Sequence, residues 1–305
     1  MKRTIIQQGA GYTVTLPVEW VKKYGIKKGD SLEVSVHEKS LVIEHDKEAQ
    51  VEAVKLKLTK NRNQIINSIV SAYRTGAEEV HVHFDKNDIS DRHGALHKTS
   101  RIVQETVNSL TGFSIVDQKN GYFLIKDIAK ARSENFDAVL RRAFILLLNI
   151  SEESMKGVQD KDRNSIEEIP LLYESIRQLV NYALRLLNKH ESLYRKTTHL
   201  YSVVNHINDI ADSFRHLAKH YSHPSIKMTK ELAKLHKDLH DSLRAMYEAF
   251  YKFDEDKIER YFEMRDKLYL DYRKFKGLKQ ADGILENIGY IRAMSTNIVR
   301  ERMGM

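Results

Sequence analysis

Apolar and polar residues alternate along the start of the chain with the two-residue period of β-strands. This alternation predicts three strands, marked by Tyr12-Val14-Leu16, Leu32-Val34-Val36 and Leu41-Ile43. Between the first two, Pro17 to Tyr24 is predicted to form a short helix, because proline is accepted in the first helical turn. We expect this helix to bury Trp20, Val21 and Tyr24, and Gly25 to end it. The pattern therefore predicts a β-α-β-β unit.

Strands and helices alternate between about Val51 and Asp127. The pattern predicts strands at 55–58, 79–84, 113–116 and 122–125, and helices at 61–74 and His93 to Leu110. The region has no glycine-rich phosphate loop and no nucleophile motif. We interpret it as a small α/β connector or dimerisation element.

From about Ser133 onward the periodicity is helical. Breaks near Asp160-Lys161, His223-Pro224, Asp254 and Gly277 indicate six helices in two sets of three, with lengths that suggest an internal duplication. The third helix carries the clearest apolar stripe, at Leu200, Val203, Ile207, Ile210, Phe214, Leu217 and Tyr221. A stripe of the same phase returns in the sixth helix, so both should pack in a bundle.

Composition narrows the possible classes of protein. The 305 residues include no cysteine, 30% are charged and the formal net charge is +8, so two or three soluble domains and an acidic partner are expected. Disulfides, thiolate metal ligands and cysteine nucleophiles are excluded. No apolar run approaches the roughly 20 residues that span a bilayer, and the start does not resemble a signal segment. We expect a cytoplasmic protein without membrane insertion and without enzymatic activity.

The first module is too small to fold well alone. About 45 residues without cysteine rarely bury a sufficient core, so pairing between two chains is the natural remedy. The run Gly11-Tyr12-Thr13-Val14-Thr15-Leu16-Pro17, followed by Gly29-Asp30, resembles the SpoVT-AbrB family over residues 3–45. The resemblance implies a swapped-hairpin dimeric β-barrel, a homodimer through this domain, and binding to double-stranded DNA.

The candidate DNA-binding residues differ from that family in one respect. Many members place an arginine just after the loop glycine, where this chain has Tyr12 and Thr13. We therefore take the following residues as candidates: Lys2, Arg3, Tyr12, Thr13, Lys22, Lys23, Lys27 and Lys28. Lysine and arginine neutralise phosphates and give affinity with little sequence information. Each of these basic residues could equally be an ordinary solvated surface residue. The sequence does not identify the residues that would contact the DNA bases.

A second resemblance lies in the helical part. Leu285-Glu286-Asn287-Ile288-Gly289 is similar to the leucine-glutamate-arginine-isoleucine-glycine-aspartate helix of PhoU proteins. Those proteins are tandem three-helix bundles that negatively regulate phosphate uptake, and the likeness spans residues 133–303. The fusion resembles archaeal phosphate-uptake regulators.

These observations predict a mainly α, α+β chain with four regions. They are 1–47 (AbrB-like), 51–130 (α/β connector), 133–222 (first PhoU-like bundle) and 223–305 (second PhoU-like bundle).

The PhoU resemblance also implies a metal site. PhoU proteins often hold iron or zinc clusters on pairs of carboxylates. The two carboxylates of a pair are four residues apart, so that they lie above one another on a helix. The corresponding candidates here are Asp209, Asp212, His216 and Glu286. Each repeat lacks half of its acidic pair, so a solvated helix face is the alternative. Histidines four apart offer a second route to a transition metal, at 93 and 97, 216 and 220, and 236 and 240.

The leading hypothesis is a dimeric DNA-binding regulator of phosphate uptake whose helical part receives the signal. One alternative is an adaptor that docks on a phosphate transporter or sensor kinase, with the first module serving only for dimerisation. A second is metal-assisted phosphate chemistry on the helical face. A third is an antitoxin, which we consider less compatible with the well-patterned helices that follow the module.

Overall fold

The computed structural model describes residues 2–37, 40–45, 53–58, 61–90, 94–129, 136–189, 196–223, 226, 228–275 and 282–305. The chain divides into two compact units, Met1–Val51 and Glu52–Met305. Within the described residues, strands occur only up to Asp127, and long helices make up the remainder. The chain is therefore mainly helical with a smaller β content, as the sequence predicts.

The first unit consists of two antiparallel hairpins on either side of a short helix. Its elements are β1 (Ile6–Gln8), β2 (Gly11–Thr13), α1 (Val18–Lys23), β3 (Leu32–His37) and β4 (Ser40–His45). Strand β1 pairs with β2 and β3 pairs with β4, in two separate two-stranded sheets. The predicted β-α-β-β order thus gains a strand at its start. The swapped barrel, which involves a second chain, stays a prediction.

Two details of this unit differ from the sequence prediction. Strand β2 ends at Thr13 rather than reaching Leu16, because its partner β1 begins at Ile6, directly opposite Thr13. The prediction that α1 buries its apolar side chains is also wrong for a single copy. Trp20 and Val21 are only half-buried and Tyr24 is exposed, because two separate hairpins do not enclose the helix.

The second unit begins with a mixed sheet. Its elements are β5 (Ala53–Leu58), α2 (Arg62–Arg74), β6 (Glu79–Phe84), β7 (Asp88–Ser90), β8 (Leu96–Lys98), α3 (Thr99–Asn108), β9 (Phe113–Lys119) and β10 (Tyr122–Asp127). The sheet order is β5-β6-β10-β9, with only β5 and β6 parallel. Helices α2 and α3 and the apolar face of the sheet share one core. At the β9–β10 turn, Gly121 takes a φ of +74°, which glycine adopts without strain.

The predicted helix from His93 to Leu110 is wrong at its start. Helix α3 begins at Thr99, and the three residues before it form β8, which pairs with β7. The amide of Thr99 donates to Asn87 O at 2.8 Å and its hydroxyl donates to Lys86 O at 2.7 Å. These bonds keep the chain extended up to the helix, and nothing in the apolar spacing signals them. His93 lies outside the described residues.

Six long helices follow in the described part of the chain. They are α4 (Phe136–Gln159), α5 (Arg163–Lys189), α6 (Thr197–Tyr221), α7 (Lys230–Tyr251), α8 (Glu255–Phe275) and α9 (Asp282–Gly304). Three predicted breaks fall between these helices, and the fourth, at Gly277, lies outside the described residues. Within the described residues, none of the helices is long and apolar enough to cross a membrane.

The helices pack in a repeating pattern around a shared apolar core. Helices α4, α5 and α6 contact one another, and so do α7, α8 and α9. Between the two sets, α4 packs on α7 and α6 packs on α9, so helices of equal rank meet. A duplicated three-helix unit gives this pattern, although the duplication itself stays a prediction.

Helix α5 also holds the sheet region to the helical region. The guanidinium of Arg185, which is fully buried, donates to Tyr73 O at 2.6 Å, to Ala77 O at 2.8 Å and to Asp127 Oδ2 at 2.6 Å. It also lies over the rings of Tyr73 and Phe113, at 4.8 and 5.0 Å from their centroids. One cation thus binds the end of α2, the following turn and the end of β10.

Candidate nucleic-acid interface

The first unit lacks a core of its own. Among the residues whose burial the structure describes between Lys2 and His45, no apolar side chain is buried. Two of the apolar ones are almost as exposed as in an unfolded chain, Val36 at 75% and Tyr12 at 73%. Among the described residues of this unit, the exposed large apolar side chains are Ile5, Ile6, Tyr12, Val14, Val18, Tyr24, Val34, Val36 and Leu41. Val34, Val36 and Leu41 share one face of the β3–β4 hairpin, and clustered exposed apolar surface of this kind marks an interaction site.

The helix and the turn after it have a defined local geometry. Helix α1 starts after Pro17, whose φ of −62° suits a helix start, and the Pro17 carbonyl accepts from the Val21 amide at 3.0 Å. Gly25 takes a φ of +63°, a left-handed conformation that ends helices at glycine. The Ile26 amide then donates to Val21 O at 3.0 Å, which turns the chain back along the helix.

Asp30 orders the loop that carries two of the candidate lysines. Its carboxylate accepts from the Lys27 amide at 2.8 Å, and its own amide donates to Lys27 O at 3.0 Å. The same carboxylate lies 3.5 Å from Nε2 of His45, at the end of β4. Lys27 and Lys28 are therefore displayed on a fixed turn and not on a loose connection.

The basic candidates are exposed cations that no carboxylate of the described residues pairs with. Lys22 and Lys23 lie in the last helical turn of α1, where positive side chains interact favourably with the negative end of the helix dipole. Lys27 and Lys28 lie in the loop that follows. The structure thus brings four of them into one segment, whereas Lys2 and Arg3 precede β1. From position 2 to position 28 the sequence has six basic residues and one acidic residue. This segment attracts anions.

The two uncharged candidates lie side by side on β2. Tyr12 faces Gln7 across the hairpin and is largely exposed. The hydroxyl of Thr13 donates to Ile6 O at 3.2 Å, so it holds the hairpin together. Contact of either residue with DNA stays a prediction.

The metal candidates on α6 are engaged with other side chains. Asp212 pairs with Arg215 at 2.7 Å and with His216 at 3.3 Å. Asp209 lies 4.0 Å from Nδ1 of His206, and burial raises the pKa of its carboxyl. Within the described residues, no three His, Cys, Asp or Glu side chains are placed to hold a metal ion.

A tyrosine of α9 also lies beside the metal candidates of α6. Tyr290 on α9 lies near Asp209 and Asp212 of α6, and partial burial and then the charges of both carboxylates raise the pKa of its phenol. Glu286 is exposed one turn earlier on α9. The structure thus places Tyr290 beside the two carboxylates of α6, and a metal at this place stays a prediction.

Of the predicted histidine pairs, 216 and 220 lie on α6 and stay a prediction, whereas the rings at 236 and 240 on α7 are bonded to other side chains. His236 is buried on α7, where Nδ1 lies 3.2 Å from Ser154 Oγ and Nε2 bonds the hydroxyl of Tyr221. Burial lowers the pKa of His236 to about 3, so the ring is neutral. His240 bonds Ser151 Oγ at 2.7 Å, and His97 lies in a strand.

Comparison with known proteins supports the interpretation of the first unit. Residues 5–50 match the sequence profile of a family described as "Antidote-toxin recognition MazE, bacterial antitoxin". A MazE/AbrB-like domain therefore occupies the N-terminal part of the chain, and domains of this kind typically dimerise and bind DNA. No curated protein matches the chain. The match ends at residue 50, so the resemblance to PhoU proteins depends on the sequence pattern alone.

Sequence reasoning missed the polar side chains of α5 that contact α2. Asn181 and Arg185 lie in a strongly apolar run from 179 to 187, and both are buried. A charge and an amide inside such a run are the signal that could have revealed them, because isolated buried polar groups need partners.

Proposed function

We propose that the chain is a dimeric DNA-binding regulator. Two copies of the first unit cover each other's exposed apolar residues, and the paired units present their basic segments to duplex DNA. The helical part of the second unit receives a signal related to phosphate status. No catalytic step is part of the proposal.

The observation that carries the proposal is the absence of any buried apolar side chain among those described between Lys2 and His45, in a segment that matches a MazE-type family. An ordered unit with hydrogen-bonded turns but no core needs a partner to stabilise it. A second copy supplies the same apolar surface, as two-fold dimers do. The unpaired lysines then serve for phosphate contact.

Salt-dependent binding to a labelled duplex tests the DNA-binding step. Each phosphate neutralised contributes about 0.9 to the slope of log affinity against log salt. Replacing Lys22, Lys23, Lys27 and Lys28 by glutamine should lower that slope by about one for each phosphate that the variant no longer neutralises. The matched control replaces four exposed lysines of the second unit, at 161, 219, 230 and 252. Equal slopes for the two variants would remove the basic segment from the interface.

The link to phosphate is supported by two features. One is the similarity of residues 285–289 to the PhoU signature. The other is the pairwise packing of α4 on α7 and α6 on α9, which suits tandem bundles. Duplex affinity of the whole chain, compared with that of the first unit alone, tests whether the helical part affects DNA binding. Identical affinities would remove the coupling.

The adaptor alternative keeps the dimer and discards the DNA. In that case the helical part docks on a phosphate transporter or sensor kinase, and the chain shows no salt-dependent duplex binding. Metal-assisted phosphate chemistry would require bound iron or zinc, which elemental analysis of the purified protein measures directly.

The description of the matching family favours a second candidate function, that of an antitoxin. Under this hypothesis the chain binds a toxin protein in addition to DNA. Co-expression with the product of the adjacent gene separates the two functions. Rescue from growth arrest supports the antitoxin, and an unchanged growth curve supports the regulator. The folded helical continuation of this chain, with its large core, favours the regulator.

A further inference from the structure

A polar cavity lies between α2, α5 and α6 in the second unit. Its volume is about 450 Å³, within the range of about 300–1,000 Å³ that is usual for small-molecule sites. Two arginines, Arg74 and Arg177, line it together with the phenols of Tyr173 and Tyr201. Asparagine side chains complete much of the remaining wall. A cavity with this lining suits a small polar ligand better than an apolar one.

Two hydrogen bonds to side chains of α5 hold Arg74 in place. Its Nε donates to Oδ1 of the fully buried Asn181 at 2.8 Å, and its backbone carbonyl accepts from Asn188 Nδ2 at 2.7 Å. Among the described residues, no hydrogen-bond partner takes its two terminal nitrogens. A guanidinium fixed in this way presents a planar pair of donors, the geometry that matches carboxylate and phosphate oxygens.

The charges around the cavity leave Arg74 without a counterion. Arg177 is paired with Glu174 at 2.6 Å, and Arg215, which lies over the Tyr173 ring, is paired with Asp212. No carboxylate of the described residues pairs with Arg74. Burial lowers the pKa of Arg74, and the positive charge of Arg177 adds to that effect. A partly buried cation of this kind is stabilised by an anion.

The cavity lining also contains a buried hydrogen-bond acceptor that lacks a donor within the described part of the chain. Oδ1 of Asn208 is buried and has no hydrogen-bond donor among the described residues. A buried acceptor without a donor costs free energy. A fully ionised anion cannot donate to it. A ligand that carries both ionised oxygens and an O–H group can bind Arg74 and, once the Asn208 side chain turns into the cavity, donate to Asn208 as well.

We propose that this cavity binds a phosphate group, either as the free ion or as a small phosphomonoester. The ionised oxygens bind Arg74, and an O–H of the ligand donates to Asn208. Inorganic phosphate near neutral pH retains one P–O–H, and small phosphomonoesters carry hydroxyls on their organic part. Sulfate has neither. The role of this site as a sensor rests on the proposed function, but the binding itself does not.

Calorimetric titration of the whole chain, without DNA and at constant ionic strength, tests the site. The probes are inorganic phosphate, glycerol 3-phosphate and sulfate. Phosphate or glycerol 3-phosphate should bind at one saturable site at least about tenfold more tightly than sulfate, because one charged-site hydrogen bond is worth about that much. The tighter of the two phosphate probes identifies the source of the ligand.

Two variants assign the residues. Arg74→Gln should weaken phosphate binding about tenfold or more, whereas the matched control Arg101→Gln, on the exposed face of α3, should leave it unchanged. Asn208→Leu should bring the affinities for phosphate and sulfate close together. This second variant keeps the test decisive if Arg74→Gln fails to fold, since Arg74 also supports Asn181.

Three results would overturn the site. They are the absence of saturable binding by either phosphate probe, sulfate binding as tight as phosphate, and equal affinities for Arg74→Gln and Arg101→Gln. Because no DNA is present, these failures are separate from a failure of the proposed function. A chain that binds phosphate but no duplex would keep the site and lose the regulator.

Discussion

The buried Arg185 gives a sharp prediction about the second unit. Arg185→Met removes three charged hydrogen bonds at once and leaves the carboxylate of Asp127, whose side chain is 5% exposed, without its main partner. Lys189 lies 3.6 Å from that carboxylate and compensates only in part. Breaking a buried ion pair from one side costs about 3–5 kcal/mol, so we expect a loss of about 4 kcal/mol in unfolding free energy.

Urea unfolding followed by far-ultraviolet circular dichroism measures this loss, because the helices dominate that signal. With an m-value of about 3 kcal/mol per molar urea, the midpoint should fall by more than about 1 M. Trp20 is the only tryptophan of the chain and belongs to the other unit. Its fluorescence transition is therefore an internal control that reports on the first unit.

A double-mutant cycle completes the test. Asp127→Asn alone should also destabilise, since it leaves the Arg185 cation buried without a counterion. The double variant should lose less than the sum of the two single losses, by about 1–3 kcal/mol. Arg142→Met, at an exposed position of α4, is the matched control. A loss below about 1 kcal/mol for Arg185→Met, or strict additivity, would refute the reasoning.

Two further predictions concern pH and dimerisation. The pKa of His236 falls from 6.5 to about 3 on folding, so its contribution to stability is complete above pH 6.5 and is lost as pH falls towards 3, by up to about 1.4 kcal/mol per pH unit. His236→Gln should flatten that pH dependence of the urea midpoint, and the exposed His216→Gln should not. Val36→Glu should weaken dimerisation about 100-fold or more, because it buries a carboxylate in the shared core. Val116→Glu, exposed in the second unit, should leave the dimer unchanged.

Each of these has a contrary outcome. A pH profile of His236→Gln that matches that of the parent chain would mean that the ring is solvated in the folded state. Equal dimer constants for the two valine variants would mean that Val36 stays in water when the chains associate.

The sequence was a good guide wherever local pattern decides the structure. The helix at 62–74 follows from its apolar spacing and from Asn61, whose side chain accepts from the amides of Asn63 and Gln64. The strands at 79–84 and 122–127 likewise follow from their alternation. In these elements the buried residues recur with the period of the helix or the strand, so the apolar pattern of the sequence is sufficient to predict them.

The failures have a common physical cause. The start of α3 is set by bonds from Thr99 to Asn87 and Lys86, and the role of Arg185 is set by Tyr73, Ala77 and Asp127, which are distant from it in the sequence. Such contacts leave no periodicity in the sequence. The burial predicted for Trp20 in α1 failed for a related reason, because the described residues of its own unit do not enclose it.

The central claim is that the first unit completes its core only with a second copy. Sedimentation equilibrium of the isolated first unit, residues 1–51, measures this most directly. We expect the mass of two chains, falling to one only on dilution together with loss of the folded state. A compact, folded fragment that keeps the mass of a single chain at every concentration would contradict the account.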